Sequence, residues 1–131
     1  AMQKTGNITV KNGFIAAYLP DMSPKTAEEI ADDFYWKGIK AASNANDCGV
    51  IVTWTSCINN EKMSTPPAGA NYYNINPLNW KTTSERAEKI LNKGACFTDY
   101  SGAVTEEIPQ FTGAYLDETR GTLKVTDIDP I

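Results

Sequence analysis

Ser23-Pro24-Lys25-Thr26-Ala27-Glu28-Glu29-Ile30-Ala31-Asp32-Asp33-Phe34-Tyr35-Trp36-Lys37-Gly38-Ile39-Lys40-Ala41-Ala42 is the stretch on which the fold class turns. Ser23 suits an N-cap and Pro24 the first helical position, where its missing N–H costs nothing. Thr26 and Glu29 offer an alternative capping box one turn later. Ala27, Ile30, Ala31, Phe34, Gly38, Ala41 and Ala42 recur at helical spacing and form a core-facing stripe. Glu28, Glu29, Asp32 and Asp33 precede Lys37 and Lys40, an order that complements the helix dipole. These features predict a long helix from about Pro24 to Ala42.

Upstream, Asn7 to Lys11 and Phe14 to Leu19 are strand-like, and Asn12-Gly13 between them suits a tight hairpin turn. Downstream, Cys48 to Cys57 is rich in β-branched residues, with Val50, Val52 and Trp54 alternating against Ile51, Thr53 and Thr55, and reads as a central strand. Residues 58–81 carry Pro66, Pro67, Pro77, Gly69 and a series of asparagines, the composition of a long irregular loop. Ser84 to Lys93 reads as a shorter helix, with Thr82-x-x-Glu85 as a capping box, Ala87, Ile90 and Leu91 as its apolar face and Gly94 as its stop. Ala95 to Thr98, Phe111 to Leu116 and Thr122 to Ile128 read as strands, the last two joined through Asp117 to Gly121 as a hairpin. The expected fold is therefore α+β, an antiparallel sheet of about five or six strands packed against one long and one shorter helix.

The 131 residues, 41% hydrophobic and 21% charged, match one soluble globular domain spanning 1–131. Ala1 ahead of Met2 reads as a vector remnant, and the first residues lack the pattern of a signal peptide. No stretch reaches the roughly 20 apolar residues of a membrane span. The net charge of −4 and the scattered basic residues argue against a nucleic-acid partner and suit a partner with a basic surface.

The chain has no histidine. That excludes Ser-His-Asp and Cys-His nucleophile pairs, HExxH sites and histidine acid–base work within one chain. No GxxxxGK[ST] or GxGxxG loop is present, so no nucleotide cofactor is expected. Three cysteines without a CxxC pair give no zinc site. What chemistry remains is carboxylate chemistry, as in glycoside hydrolysis. Its candidates are Asp32 and Asp33, Asp99, and Glu106-Glu107, although a carboxylate pair on an amphipathic helix reads first as a solvated face and Glu106-Glu107 before Pro109 as a turn.

Cys48, Cys57 and Cys96 are the disulfide candidates. An extended 48–57 segment separates its ends by about 30 Å, whereas a disulfide needs Cα atoms within about 7 Å. A bridge from Cys96 to Cys48 or Cys57 is geometrically easier, and three buried free thiols are the alternative. A bridge would favour an extracytoplasmic location; free thiols would favour the cytoplasm.

The most suggestive surface feature is Asn71-Tyr72-Tyr73-Asn74-Ile75-Asn76-Pro77-Leu78-Asn79-Trp80. Tyr72, Tyr73 and Trp80 would supply stiff contact area, and Asn74 and Asn76 adaptable amides, as protein-binding paratopes do. Aromatic faces beside amides also suit sugars. The competing reading packs the rings down onto the core. Asn7-Ile8-Thr9 fits a glycosylation acceptor but falls within the predicted first strand. The expectation is a non-catalytic protein-binding domain, such as an inhibitor, immunity protein or surface-appendage subunit. The alternative is a small carbohydrate-binding module or carboxylate-based glycan hydrolase.

Overall fold

In a computed structural model describing residues 6–57 and 71–128, the chain first turns at Val10–Asn12, a short 3-10 turn. The Thr9 hydroxyl accepts from the Asn12 N–H at 3.1 Å, and Gly13 closes the turn at φ 91°. This local bond replaces the predicted hairpin, because a threonine hydroxyl competes with strand pairing for the same backbone donors. The strand that follows, Ala16–Tyr18 (β1), pairs elsewhere.

The long helix is the largest correction. Helix α1 is Ala27–Asp33, seven residues. It begins at the Thr26–Glu29 capping box: the Thr26 N–H donates to Glu29 Oε2 at 2.8 Å, and the Glu29 N–H donates to Thr26 Oγ1 at 3.1 Å. Ser23-Pro24 lies outside it. It ends because Tyr35–Lys37 tightens into a 3-10 turn and Gly38 adopts φ 68°, a left-handed stop. Beyond the stop the chain is extended, through Ile39 into the short strand Lys40–Ala41 (β2). Ile30 and Phe34 of the predicted stripe are buried, and Ala42 is buried too, reached along an extended chain.

Strand Val50–Val52 (β3) runs between β1 and β2 and is parallel to both, with Ala16 and Lys40 both opposite Val50. Parallel neighbours need a crossover, and the chain from β1 through α1 to β2 supplies it, with β3 slotted between. A central parallel strand is covered on both faces, and all three residues of β3 are buried. Ile51 packs with Ile30, Phe34 and Ile39 beside α1. Val50 and Val52 cluster with Ala42 and Ile75, and Trp54, Tyr73 and Trp80 pack against them. Each of these buried aliphatic side chains contributes about 1.5–3 kcal/mol. One helix covers one face; residues 73–80 cover the other.

The segment predicted as one strand from Cys48 to Cys57 serves two sheets. Past β3 it continues into Ser56–Cys57 (β4). Four later strands follow: Ala95–Thr98 (β5), Val104–Ile108 (β6), Gly113–Asp117 (β7) and Thr122–Thr126 (β8). β4 pairs parallel to β8, β7 pairs antiparallel to β8, and β5 with β6 makes a separate antiparallel hairpin. The described residues thus form three sheets of three, three and two strands, the first wholly parallel, in place of the expected antiparallel sheet. The β7–β8 hairpin through Asp117 to Gly121 and the strand at Ala95–Thr98 stand where the sequence puts them.

The second predicted helix is absent. Residues 84–93 contain a 3-10 turn at Lys89–Leu91 and an isolated bridge from Ala87 to Ala114. The Ala87 backbone exchanges two hydrogen bonds with Ala114, at 2.8 and 2.9 Å, so the edge of β7 takes the groups a helix would have used. Ala87 is buried, but Ile90 and Leu91 are exposed. Glu106-Glu107, read as a turn, lies in β6. Among the described residues, no helix is long and apolar enough to cross a membrane.

Candidate functional site

Residues 73–81 are built inward. The Tyr73 N–H donates to Lys25 O at 2.8 Å and the Ile75 N–H to Thr53 O at 3.1 Å. Asn74 Oδ1 accepts from the Thr55 N–H, and Asn74 Nδ2 donates to Gly121 O, both at 2.7 Å. Asn76 Nδ2 donates to Ala114 O, and its Oδ1 accepts from the Leu78 N–H, both at 3.0 Å. Asn74 therefore ties the chain between β3 and β4 to the β7–β8 turn, and Asn76 ties its own segment to β7. Asn76 is fully buried and Asn74 nearly so.

The aromatics follow the same direction. The Tyr73 hydroxyl donates to Ala42 O at 2.6 Å, and burial pushes its phenol well above the ordinary value, so it stays protonated. Trp80 holds φ 58° and meets Tyr18 edge to face, with centroids 6.1 Å apart. The strained backbone at Trp80 is held by its N–H bond to Asn76 O at 2.8 Å. Tyr72 alone turns another way. It packs against Gly121, whose φ of 64° disfavours a side chain and where an added Cβ would lie 3.1 Å from Tyr72 Cβ.

Tyr72 helps line a cleft of about 310 Å³. Its floor holds Asn74, Leu116, Gly121 and Thr122, all buried, and its rim holds the exposed Glu28, Asn71, Thr82 and Glu118. The Thr122 hydroxyl is fully buried and has no hydrogen-bond partner. Glu118 Oε1 accepts from the Ser84 N–H at 3.2 Å. Asp117, also in the lining, pairs with Lys124 at 2.8 Å and accepts from the Thr119 and Arg120 N–H groups of its own turn.

The Lys124 ammonium beside Asp117 holds its carboxyl below the usual range. A depressed carboxyl stabilises the fold above the unfolded value of about 3.9 and loses that contribution as pH falls through the folded value. Asp117→Asn keeps the turn acceptor and loses the charge pair. It is expected to lower stability at pH 7 by about 1 kcal/mol, with the gap to the parent closing below about pH 4. Urea denaturation of both proteins across pH 2–7 checks this, and a gap constant with pH contradicts it.

Comparison with protein families, with curated proteins and with solved structures finds no match to this chain. The site must therefore be read from its residues alone. Of the five proposed contact residues, Tyr73, Asn74, Asn76 and Trp80 are committed to internal packing and bonding, and Tyr72 faces the cleft. Asn74 and Asn76 are not adaptable surface amides. The rest of the predicted loop, residues 58–70, lies outside the described residues.

The carboxylates singled out in the sequence do not converge. Asp33 pairs with Lys25 at 2.6 Å beside α1. Asp99 accepts from Ser101 and Ala103 in the β5–β6 turn, and those bonds lower its pKa. Glu106 and Glu107 lie along β6. Cys48 and Cys96 are free and exposed; the side chain of Cys57 falls outside the described residues.

A second surface was missed in the sequence. Trp36 is 90% exposed and Tyr35 69%, and their rings meet edge to face with centroids 5.1 Å apart. They sit in the 3-10 turn that Gly38 closes, and Gly38 and Gly49 both lie under Val10. Ile15, also exposed, accepts the Gly49 and Val50 N–H groups there through its carbonyl. The signal was present: Tyr35 and Trp36 are the two large rings that the helical stripe leaves out.

Proposed function

We propose that the chain is a non-catalytic binding domain for a protein partner, of the kind an inhibitor, immunity protein or surface-appendage subunit represents. Its anchor is the Tyr35–Trp36 pair. One observation carries this reading: a tryptophan left almost fully exposed and braced by a tyrosine. An aromatic side chain offers roughly 150–250 Å² for burial, so exposing one forgoes a large stabilisation. Tryptophan and tyrosine are also the residues most enriched at interface hot spots. Val10, which packs over Gly38 at the end of this turn, is exposed as well, and the net charge of −4 suits a basic partner. The lack of histidine and the scatter of Asp33, Asp99, Glu106 and Glu107 over α1, the β5–β6 turn and β6 support a role without catalysis.

The test is comparative capture from the source cell, with proteins identified by mass spectrometry and the affinity of any retained partner then measured. A partner held by the parent chain should bind Trp36→Ala at least about 30-fold more weakly. Ile90→Ala, an exposed apolar change elsewhere, should bind as the parent does. A partner indifferent to Trp36 and Tyr35 overturns the reading, as does saturable retention that follows Ile90.

A further inference from the structure

The cleft under Tyr72 is separate from the Tyr35–Trp36 surface and has its own chemistry. Its charged side chains are all carboxylates: Glu28, Asp117 and Glu118, with no lysine or arginine in the lining. Asp117 is neutralised by Lys124, which leaves Glu28 and Glu118 as the net negative charge. The Asn74 amide at the floor gives one N–H to Gly121 O and its oxygen to the Thr55 N–H. What stays open is acceptor-rich, with an aromatic ring beside it.

The second observation is Thr122. A buried polar atom without a partner costs about 1–3 kcal/mol, so a bound group that supplies the partner recovers that cost. The Thr122 hydroxyl is such an atom, and Thr122 lines this cleft at 1% exposure.

We infer that the cleft binds a guanidinium group, received between the Glu28 and Glu118 carboxylates and Tyr72, with Thr122 Oγ1 accepting one of its N–H bonds. Guanidinium carries five N–H donors and no acceptor, which matches a lining whose charged side chains are all acceptors. It also stacks on aromatic rings and is more weakly hydrated than ammonium. A metal ion fits less well, because no group of three or more acidic or cysteine side chains among the described residues is placed to hold one.

The experiment is a titration of the ¹⁵N-labelled chain with N-acetyl-arginine amide, followed by amide chemical shifts. Saturable shifts are expected at Tyr72, Glu118, Gly121 and Thr122, with a Kd of about 1 mM, a typical strength for a single small contact group. Glu28→Gln with Glu118→Gln, both on the exposed rim, should weaken binding roughly tenfold. Thr122→Val, close in shape, should weaken it severalfold while leaving the spectrum folded. N-acetyl-lysine amide should bind more weakly. The source is distinguished by comparing a capped Gly-Arg-Gly peptide with free arginine: tighter peptide binding assigns the site to an arginine of a polypeptide, and tighter free arginine to a small molecule. Absence of saturable cleft shifts, lysine binding as well as arginine, or maltotriose producing the shifts instead would each overturn the assignment. None of these outcomes bears on Trp36, so failure here leaves the protein-partner reading separately testable.

Discussion

Asn76→Ala is expected to lower the stability of the fold by about 2–4 kcal/mol. Asn76 is fully buried, and its side chain makes two hydrogen bonds that no solvent can replace. Ala114 O keeps a second donor, the Ala87 N–H, so its loss is partial. The Leu78 N–H loses its side-chain acceptor outright. An orphaned donor of this kind costs about 1–3 kcal/mol, and the vacated space adds to it. In a domain of this size, each kcal/mol lowers Tm by roughly 2–6 °C, so a fall of about 10 °C is the expected calorimetric result. Asn76→Asp should be worse, because it sets a carboxylate against the Ala114 carbonyl with no donor between them. A Tm within about 2 °C of the parent for Asn76→Ala would mean that the segment does not hold the sheets together.

Gly113→Ala is expected to cost about 2–4 kcal/mol for a different reason, namely that a methyl group does not fit. An added Cβ would lie 2.7 Å from Ala87 O and 2.9 Å from Thr126 Oγ1. The threonine can rotate, but the carbonyl belongs to backbone that is bonded to Ala114 in both directions. Relieving the clash means parting the Ala87–Ala114 bridge and exposing Ala87, which is fully buried. Gly6→Ala, where the added Cβ meets nothing within 4 Å, is the matched control and should be neutral. Equal melting temperatures for the two variants would contradict the packing described at the edge of β7.

What the sequence disclosed was mostly local. Gly13 and Gly121 turn the chain at positive φ, the Thr26–Glu29 box starts α1, and the β7–β8 hairpin forms around Asp117 to Gly121, whereas Gly38, placed by its spacing in the helical stripe, is the left-handed stop. The long helix was misread because an amphipathic stripe continues past Gly38: Ile39 and Ala42 are as buried in an extended chain as they would be in a helix. Burial alone does not distinguish the two states, and the left-handed glycine does. The parallel arrangement of β1, β3 and β2 was not legible, since three strands of two or three residues carry no pairing signal of their own. Val50-Ile51-Val52 did carry one clue, an uninterrupted apolar run, which marks a strand covered on both faces.

That clue also explains the candidate site. Helix α1 covers one face of the parallel sheet and leaves the other uncovered, and the Asn-aromatic segment is what covers it. Tyrosine, tryptophan and asparagine suit that task for the same reasons they suit a paratope: large rings to bury and amides to satisfy backbone groups. Composition could not separate these uses. The cleft residues Glu28, on α1, and Glu118 and Thr122, at the β7–β8 turn, come from two distant points of the chain and had no common signature.

The most direct test of the claim that residues 73–80 are structural cover is amide hydrogen exchange. The N–H groups of Thr55, Ile75, Asn76 and Trp80, each bonded across this segment, should exchange only with global unfolding, as slowly as those of Val50 to Val52. Exchange at these four within seconds, while Val50 to Val52 stay protected, would make the segment a mobile binding loop and contradict the account.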